Sequence, residues 1–127
     1  MTQSQAVKYW LKSAEQNIKV AEDNFKLKHY DWCLFLWQLA LEKTIKAIIS
    51  SQGKTPPAVH NLNYLCRYAK IKVDKETELK LKEISSFNLK ARYDDYKFNF
   101  YKKAKKEFSI KWVNISREIN LWLKKNI

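Results

Sequence analysis

The stretch "DWCLFLWQLALEKTIKAIISS", Asp31 to Ser51, decides the fold. At helical spacing Cys33, Leu36, Trp37, Ala40, Thr44, Ala47 and Ile48 share one face, yet Trp32, Phe35, Leu39 and Ile49 point elsewhere. A helix that is apolar nearly all round is buried on more than one side, so this segment is expected to be a central helix or a dimer contact. Three polar residues interrupt it four apart, Gln38, Glu42 and Lys46, with Lys43 beside them. Glu four residues before Lys is the favourable order for an ion pair. Two readings stay open for the stripe: side chains solvated or paired on a helix surface, or the edge of a groove between helices.

Outward from this segment, amphipathic helices are expected on both sides. The first runs from about Ser4 to Lys28, with Val7, Trp10, Ala14, Ile18, Ala21 and Phe25 on one face. "KHYD" breaks its period, and Asp31 is the expected N-cap of the second helix, from about Trp32 to Ser51. Gly53 stops that helix and "TPP" delays the next. A short third helix is expected from about Asn61 to Lys70, capped by Asn61. A fourth follows Asp74, with Thr77, Leu81, Ile84 and Asn88 facing inward. The last starts by Ser109 and ends near Lys125, on a stripe of Phe108, Trp112, Ile115, Ile119, Trp122 and Leu123. One Gly and two Pro in 127 residues leave little room for the tight turns of a β-sandwich. The expected fold is all-α, an up-and-down four-helix bundle with an additional short helix, as a single domain over 1–127.

The formal net charge is +12, from 25 Lys and Arg against 13 Asp and Glu. That excess suits phosphates or an acidic partner, and equally a general lysine-rich solvated surface. Cys33 and Cys66 fall at apolar helical positions and are expected as buried free thiols. No CxxC pair occurs and the two histidines are isolated, so no metal site is expected. The start of the chain lacks the apolar segment of a secretory signal, and no run is long enough to span a membrane. A cytoplasmic protein is expected.

The segment "KARYDDYKFNFYKKAKKEF", Lys90 to Phe108, mixes charge and aromatics. If the fourth helix reaches Arg92, that residue shares the inward face of Asn88, and both need partners there. Arg92 can anchor a phosphate through its planar fork or pair with Asp94, Asp95 or Glu42. Tyr93, Tyr96 and Tyr101 can stack on bases or simply cover the end of the bundle. Eight Lys or Arg stand against three Asp or Glu between Lys90 and Lys111, and lysines interleaved with aromatics suit single-stranded nucleic acid. His60, before Asn61 and Leu62, has the chemistry for proton transfer but no recognisable catalytic spacing.

Several of these motifs, in this order, resemble the HEPN family (higher eukaryotes and prokaryotes nucleotide-binding domain) over nearly the whole chain. Ala40, Glu42, Lys43, Lys46 and Ala47 match an "A-x-EK-x-x-KA" core in the second helix. His60, Asn61 and Leu62 match an "H-[DN]-L" element after a Gly/Pro turn. Ala91, Arg92, Tyr93, Asp95 and Tyr96 match "ARYPDY", with Asp94 in place of the proline, which removes one backbone restraint. Ribonuclease members carry an arginine separated from a histidine by four to six residues. Counted from Arg92, those positions hold Lys97, Phe98 and Asn99.

The resemblance therefore implies a non-catalytic homodimer with no cofactor. Its ligand-binding groove would include Glu42, Lys43, Lys46, His60, Asn88, Arg92, Tyr93, Asp95 and Tyr96. Its implied partners are a nucleotide or RNA and a minimal nucleotidyltransferase, in a toxin–antitoxin-like pair. The tyrosines of the Arg92–Tyr96 element would be candidates for modification by that enzyme. The alternative is a metal-independent RNase with a non-standard active site using Arg92 with Asp95, Lys97 or His60.

Overall fold

In a computed structural model that describes residues 1–127, six helices and no strands form the protein. They are α1 (Gln3–Lys26), α2 (Tyr30–Ser51), α3 (Leu62–Tyr68), α4 (Lys75–Arg92), α5 (Asn99–Lys103) and α6 (Lys106–Lys124). Four long helices make the bundle, as the periodicity predicts. The short helix α5 is an addition that the sequence did not announce. No helix is long and apolar enough to cross a membrane.

The central helix is α2. It packs against every other helix, and fourteen of its 22 residues are buried. Most of its apolar surface is thus covered within one chain, while Trp32 in its first turn stays exposed. The turn Leu27–His29 folds it back along α1, whose packing is almost entirely against α2. On another side, Thr44 Oγ1 donates to Asn120 Oδ1 of α6 at 2.8 Å, fixing register through a buried polar contact. Phe87 of α4 meets Phe100, Phe108 and Trp112 with ring centroids 5.7, 6.2 and 5.8 Å away. This aromatic cluster is why α5 exists as an element: burying Phe100 ties the turn after α4 to the core.

The caps follow the sequence in part. Asn61 and Asp74 cap α3 and α4 through Tyr64 N–H and Thr77 N–H. Bonds from the Thr77 backbone and side chain hold the Asp74 carboxyl below its usual range. Thr2 and Gln5 close a reciprocal capping box on α1. Asp31, however, is not the cap of α2. That position belongs to His29, which makes no side-chain bond there, while Asp31 Oδ1 accepts from Trp32 N–H in the first turn. Its charge still lies at the positive end of the helix.

Three helices end in the same left-handed turn, at Lys28 (φ 65°), Gly53 (φ 77°) and Lys70 (φ 58°). In each, two backbone N–H groups return to the last-turn carbonyls, as in His29 N to Asn24 O and Ile71 N to Cys66 O. Lysines here tolerate a conformation that favours glycine, which is how a chain with a single Gly makes three such stops.

Cys33 and Cys66 are buried free thiols, as expected. Burial pushes both up to about 12, outweighing nearby Arg117 at Cys33 and Arg67 at Cys66.

Candidate functional site

The polar stripe of α2 lies inside the protein. Gln38, Glu42 and Lys46 are 0%, 4% and 7% exposed, so the reading in which they are solvated does not hold. Burying a carboxylate and an ammonium requires partners for both. Lys46 Nζ donates to Glu42 Oε2 at 2.9 Å, with the Trp10 ring of α1 5.5 Å away. The extended, proline-containing connection from α2 to α3 returns His60 to the same carboxylate, where Nδ1 lies 2.9 Å from Glu42 Oε1. Gln38 Nε2 donates to Glu42 Oε1 at 3.3 Å and to the His60 carbonyl at 2.9 Å.

From Gln38 the network crosses to α4. Asn88 Nδ2 donates to Gln38 Oε1 at 2.7 Å. Arg92 then folds back along its own helix, with Nε donating to the Asn88 carbonyl at 2.9 Å and Nη2 donating to Asn88 Oδ1. Each donor in this chain points from Arg92 towards Glu42, so two amides polarise one another between a guanidinium and a carboxylate. The Arg92 guanidinium also lies 5.5 Å from the Phe35 ring and 5.3 Å from the Tyr93 ring. Cation–π contact and the Asn88 fork together restrict its orientation.

Five residues of the expected groove, Glu42, Lys46, His60, Asn88 and Arg92, thus belong to one hydrogen-bonded network. Arg92 itself is not inward-facing as its helical phase suggested. It is the last residue of α4, where its long side chain reaches solvent, and the residue is exposed. It makes no ion pair with Glu42, Asp94 or Asp95. Its charge and its remaining N–H donors are open to an anion.

Lys43 stands apart from the network. Its Nζ donates to Ser13 Oγ of α1 at 2.7 Å. Desolvation lowers its pKa; Glu42 opposes that shift and Lys46 adds to it.

Tyr93 and Tyr96 are 69% and 86% exposed. Asp95 serves the loop, accepting from the backbone N–H of Lys97 and Asn99 and from Asn99 Nδ2. Asp94, at the site of the missing proline, accepts from the backbone N–H of Asp95, Phe100 and Tyr101. The restraint that a proline ring would give is supplied here by a carboxylate.

Sequence reasoning missed the aromatic walls, Trp10 and Phe35. Phe35 had a signal, since it sits off the main apolar face of α2. Trp10 had none, because it reads as an ordinary core position. His60 presents Nδ1 to Glu42 and has a side chain 59% exposed, which leaves Nε2 as the free ring nitrogen. No group of three or more His, Cys, Asp and Glu side chains is placed to hold a metal ion.

The HEPN domain family model matches residues 7–127. No curated protein matches the chain. Among solved structures, TT1696 from Thermus thermophilus is similar at a TM-score of 0.82, with 16% sequence identity and 100% of both chains covered. That likeness is one of fold.

Proposed function

The chain belongs to the HEPN domain family, and from that premise we propose that it is a non-catalytic binding module for a phosphate-bearing ligand, a nucleotide or RNA. The observation that carries this reading is Arg92: exposed, without a carboxylate partner, and held by Asn88 between the rings of Phe35 and Tyr93. A guanidinium fixed in this way presents its free edge to a phosphate without first losing rotamer freedom. The positions where ribonuclease members place the histidine hold Lys97, Phe98 and Asn99. In this reading the protein works as a homodimer beside a minimal nucleotidyltransferase in a toxin–antitoxin-like pair. The exposed Trp32, with Phe35 in ring contact beside it, offers the apolar patch on which a second copy would dock.

Equilibrium binding of AMP and of a short RNA by calorimetry tests the proposal. Arg92→Ala is expected to weaken the phosphate ligand by about tenfold or more, the loss of one charge-assisted contact of about 1.5–3 kcal/mol. Binding that is absent in the native chain, or unchanged in the variant, removes the proposal. Sedimentation velocity with Trp32→Glu tests the dimer, which the charge should dissolve.

A second reading is favoured by one observation, the Glu42–His60 contact. A carboxylate that fixes Nδ1 leaves Nε2 able to take a proton, so His60 offers a base in the network that contains Arg92. This is the RNase alternative. RNA cleavage in the presence of chelator, lost in both His60→Ala and Arg92→Ala, would establish it over the non-catalytic reading.

A further inference from the structure

Gln38 stands in the middle of the α2–α4 network and is 0% exposed. Both hydrogens of its side-chain amide go to groups that can only accept. Nε2 donates to the His60 carbonyl at 2.9 Å and to Glu42 Oε1 at 3.3 Å. Both acceptors are themselves held in place. Lys46 Nζ and His60 Nδ1 bond the Glu42 carboxylate. The connection that carries the His60 carbonyl is tied to α4, where Leu62 N–H donates to Ser85 Oγ at 3.0 Å.

One sense of the Gln38 amide satisfies this position. Turned end for end, it would set Oε1 against a carbonyl and a carboxylate in a buried site, acceptor facing acceptor. With Nε2 committed, Oε1 faces α4 and accepts from Asn88 Nδ2 at 2.7 Å. That leaves Asn88 Oδ1 towards Arg92, where it accepts from Nη2. A flipped Asn88 would offer its NH2 group to a guanidinium, which has donors only. The Nε bond to the Asn88 carbonyl fixes one point of the Arg92 fork, and the Oδ1 bond fixes a second. Two points set the plane of a side chain that is otherwise exposed at the end of its helix.

We infer that Gln38 is a positioning residue for the anion site at Arg92. It acts through Asn88, fixing the sense and place of that amide before a ligand arrives, and it makes no bond to the guanidinium itself. The inference rests on the reading of Arg92 as a phosphate anchor. Packing alone does not call for a glutamine here, since Met or Leu fills nearly the same volume and is easier to bury. What an apolar side chain lacks is a hydrogen-bond sense to pass from the fixed connection at His60 to the exposed end of α4. Held in this way, the guanidinium meets a phosphate with its orientation already set, and less freedom is lost on binding.

The test uses the full chain, labelled with 13C and 15N, in its native form and as Gln38→Met, which keeps the volume and removes the amide. The first measurement is rotation of the Arg92 guanidinium about its Nε–Cζ bond, read as exchange between the two Nη nitrogens. The second is AMP affinity by calorimetry. In the native chain the exchange at Arg92 should be slower than at the exposed Arg67. In Gln38→Met it should quicken about threefold or more, the weakening of one hydrogen bond, with Arg67 unchanged. AMP should bind that variant between about two- and tenfold more weakly, the range for one side chain left to be ordered on binding. Added to Arg92→Ala, Gln38→Met should cause no further loss of affinity. A role confined to stability would lower the urea midpoint and leave the exchange and the affinity unmoved. Exchange at Arg92 as fast as at Arg67 in the native chain overturns the inference and needs no variant. So does unchanged exchange or unchanged AMP affinity in Gln38→Met, or an equal loss of affinity with and without Arg92. AMP that fails to bind the native chain removes the Arg92 reading instead, while the Nη exchange, which needs no ligand, still decides whether Gln38 holds the guanidinium.

Discussion

Two neighbouring regions draw on the same residue types and use them in opposite ways. The α2–α4 network holds Glu42, Lys46, Gln38 and Asn88 inside the protein, with Lys46 paired to Glu42 one turn away and the network closed by partners from distant parts of the chain, His60 and Asn88. The α4–α5 connection holds Asp94, Asp95, Tyr93, Tyr96 and Lys97 near the surface, and its carboxylates are satisfied by the backbone within seven residues. In the first region polar groups set the relative position of helices. In the second they set the path of a loop. Arg92 stands at the junction, anchored by the first region and rimmed by the second, and its charge is answered by neither. What sets Arg92 apart from its neighbours in both regions is bonding capacity that the fold leaves unused.

The buried network is most sensitive at Glu42. Glu42→Ala leaves the Lys46 ammonium buried without its partner and is expected to cost about 3–5 kcal/mol, read as a lower urea midpoint with an unchanged slope. The paired change Glu42→Met with Lys46→Leu should recover most of that loss, since it removes both charges together. A single-variant cost below about 1 kcal/mol would mean that the pair is solvated after all.

Asn88→Ala comes next. It strips the donor from Gln38 and the acceptor from Arg92, and is expected to lower stability by about 1–3 kcal/mol. It should also weaken a phosphate ligand, because Arg92 keeps only the backbone half of its anchor. Lost stability with unchanged ligand affinity would separate the network from the site.

The third effect is local and pH-dependent. Desolvation works to raise the Asp94 carboxyl, but the backbone N–H groups of Tyr101, Phe100 and Asp95 outweigh it and hold the carboxyl below its usual range. A group with a depressed pKa contributes stability that is complete above its unfolded value and lost as pH falls through its folded value. Acidification through and below the ordinary Asp range should therefore loosen α5 while the network holds. Amide exchange at Phe100 and Tyr101, corrected for intrinsic rates, should show it, and Asp94→Asn should abolish the pH dependence. Protection that is flat with pH would show that Phe100 packing alone holds the turn.

The smallest expected change in stability comes from reversing Lys102 and Lys103 to Glu. Both are exposed, and the unfolding free energy should change by no more than about 0.5 kcal/mol. The same variant flattens the salt dependence of RNA binding if the lysine run touches phosphates. An unchanged slope leaves the run as ordinary solvated surface.

How far the sequence could be read differs by element. The long helices were legible because each carries an apolar stripe at one period, and the caps at Asn61 and Asp74 because capping needs only a side chain and a backbone three residues away. The short helix α5 was not legible. It rests on Phe100 docking against Phe87, a contact that no local pattern encodes. Asp31 looked like a cap because of its residue type, but the Leu27–His29 turn starts α2 one residue before it. Arg92 had the right phase to face inward, but phase says nothing about how far a long side chain extends past a helix end.

The sequence by itself determined the all-helical fold and the centrality of α2. It also determined the family, because periodicity, end signals and motif order are properties of neighbouring residues. It named most members of the buried network, since Glu, Lys, His, Asn and Arg in apolar surroundings call for partners. Only the tertiary structure decided who those partners are. Glu42 joins His60 across 18 residues and Gln38 joins Asn88 across 50. Arg117 comes to lie over Trp37 from the other end of the chain. Such pairings depend on the burial and direction of individual bonds, and those are set when the helices pack.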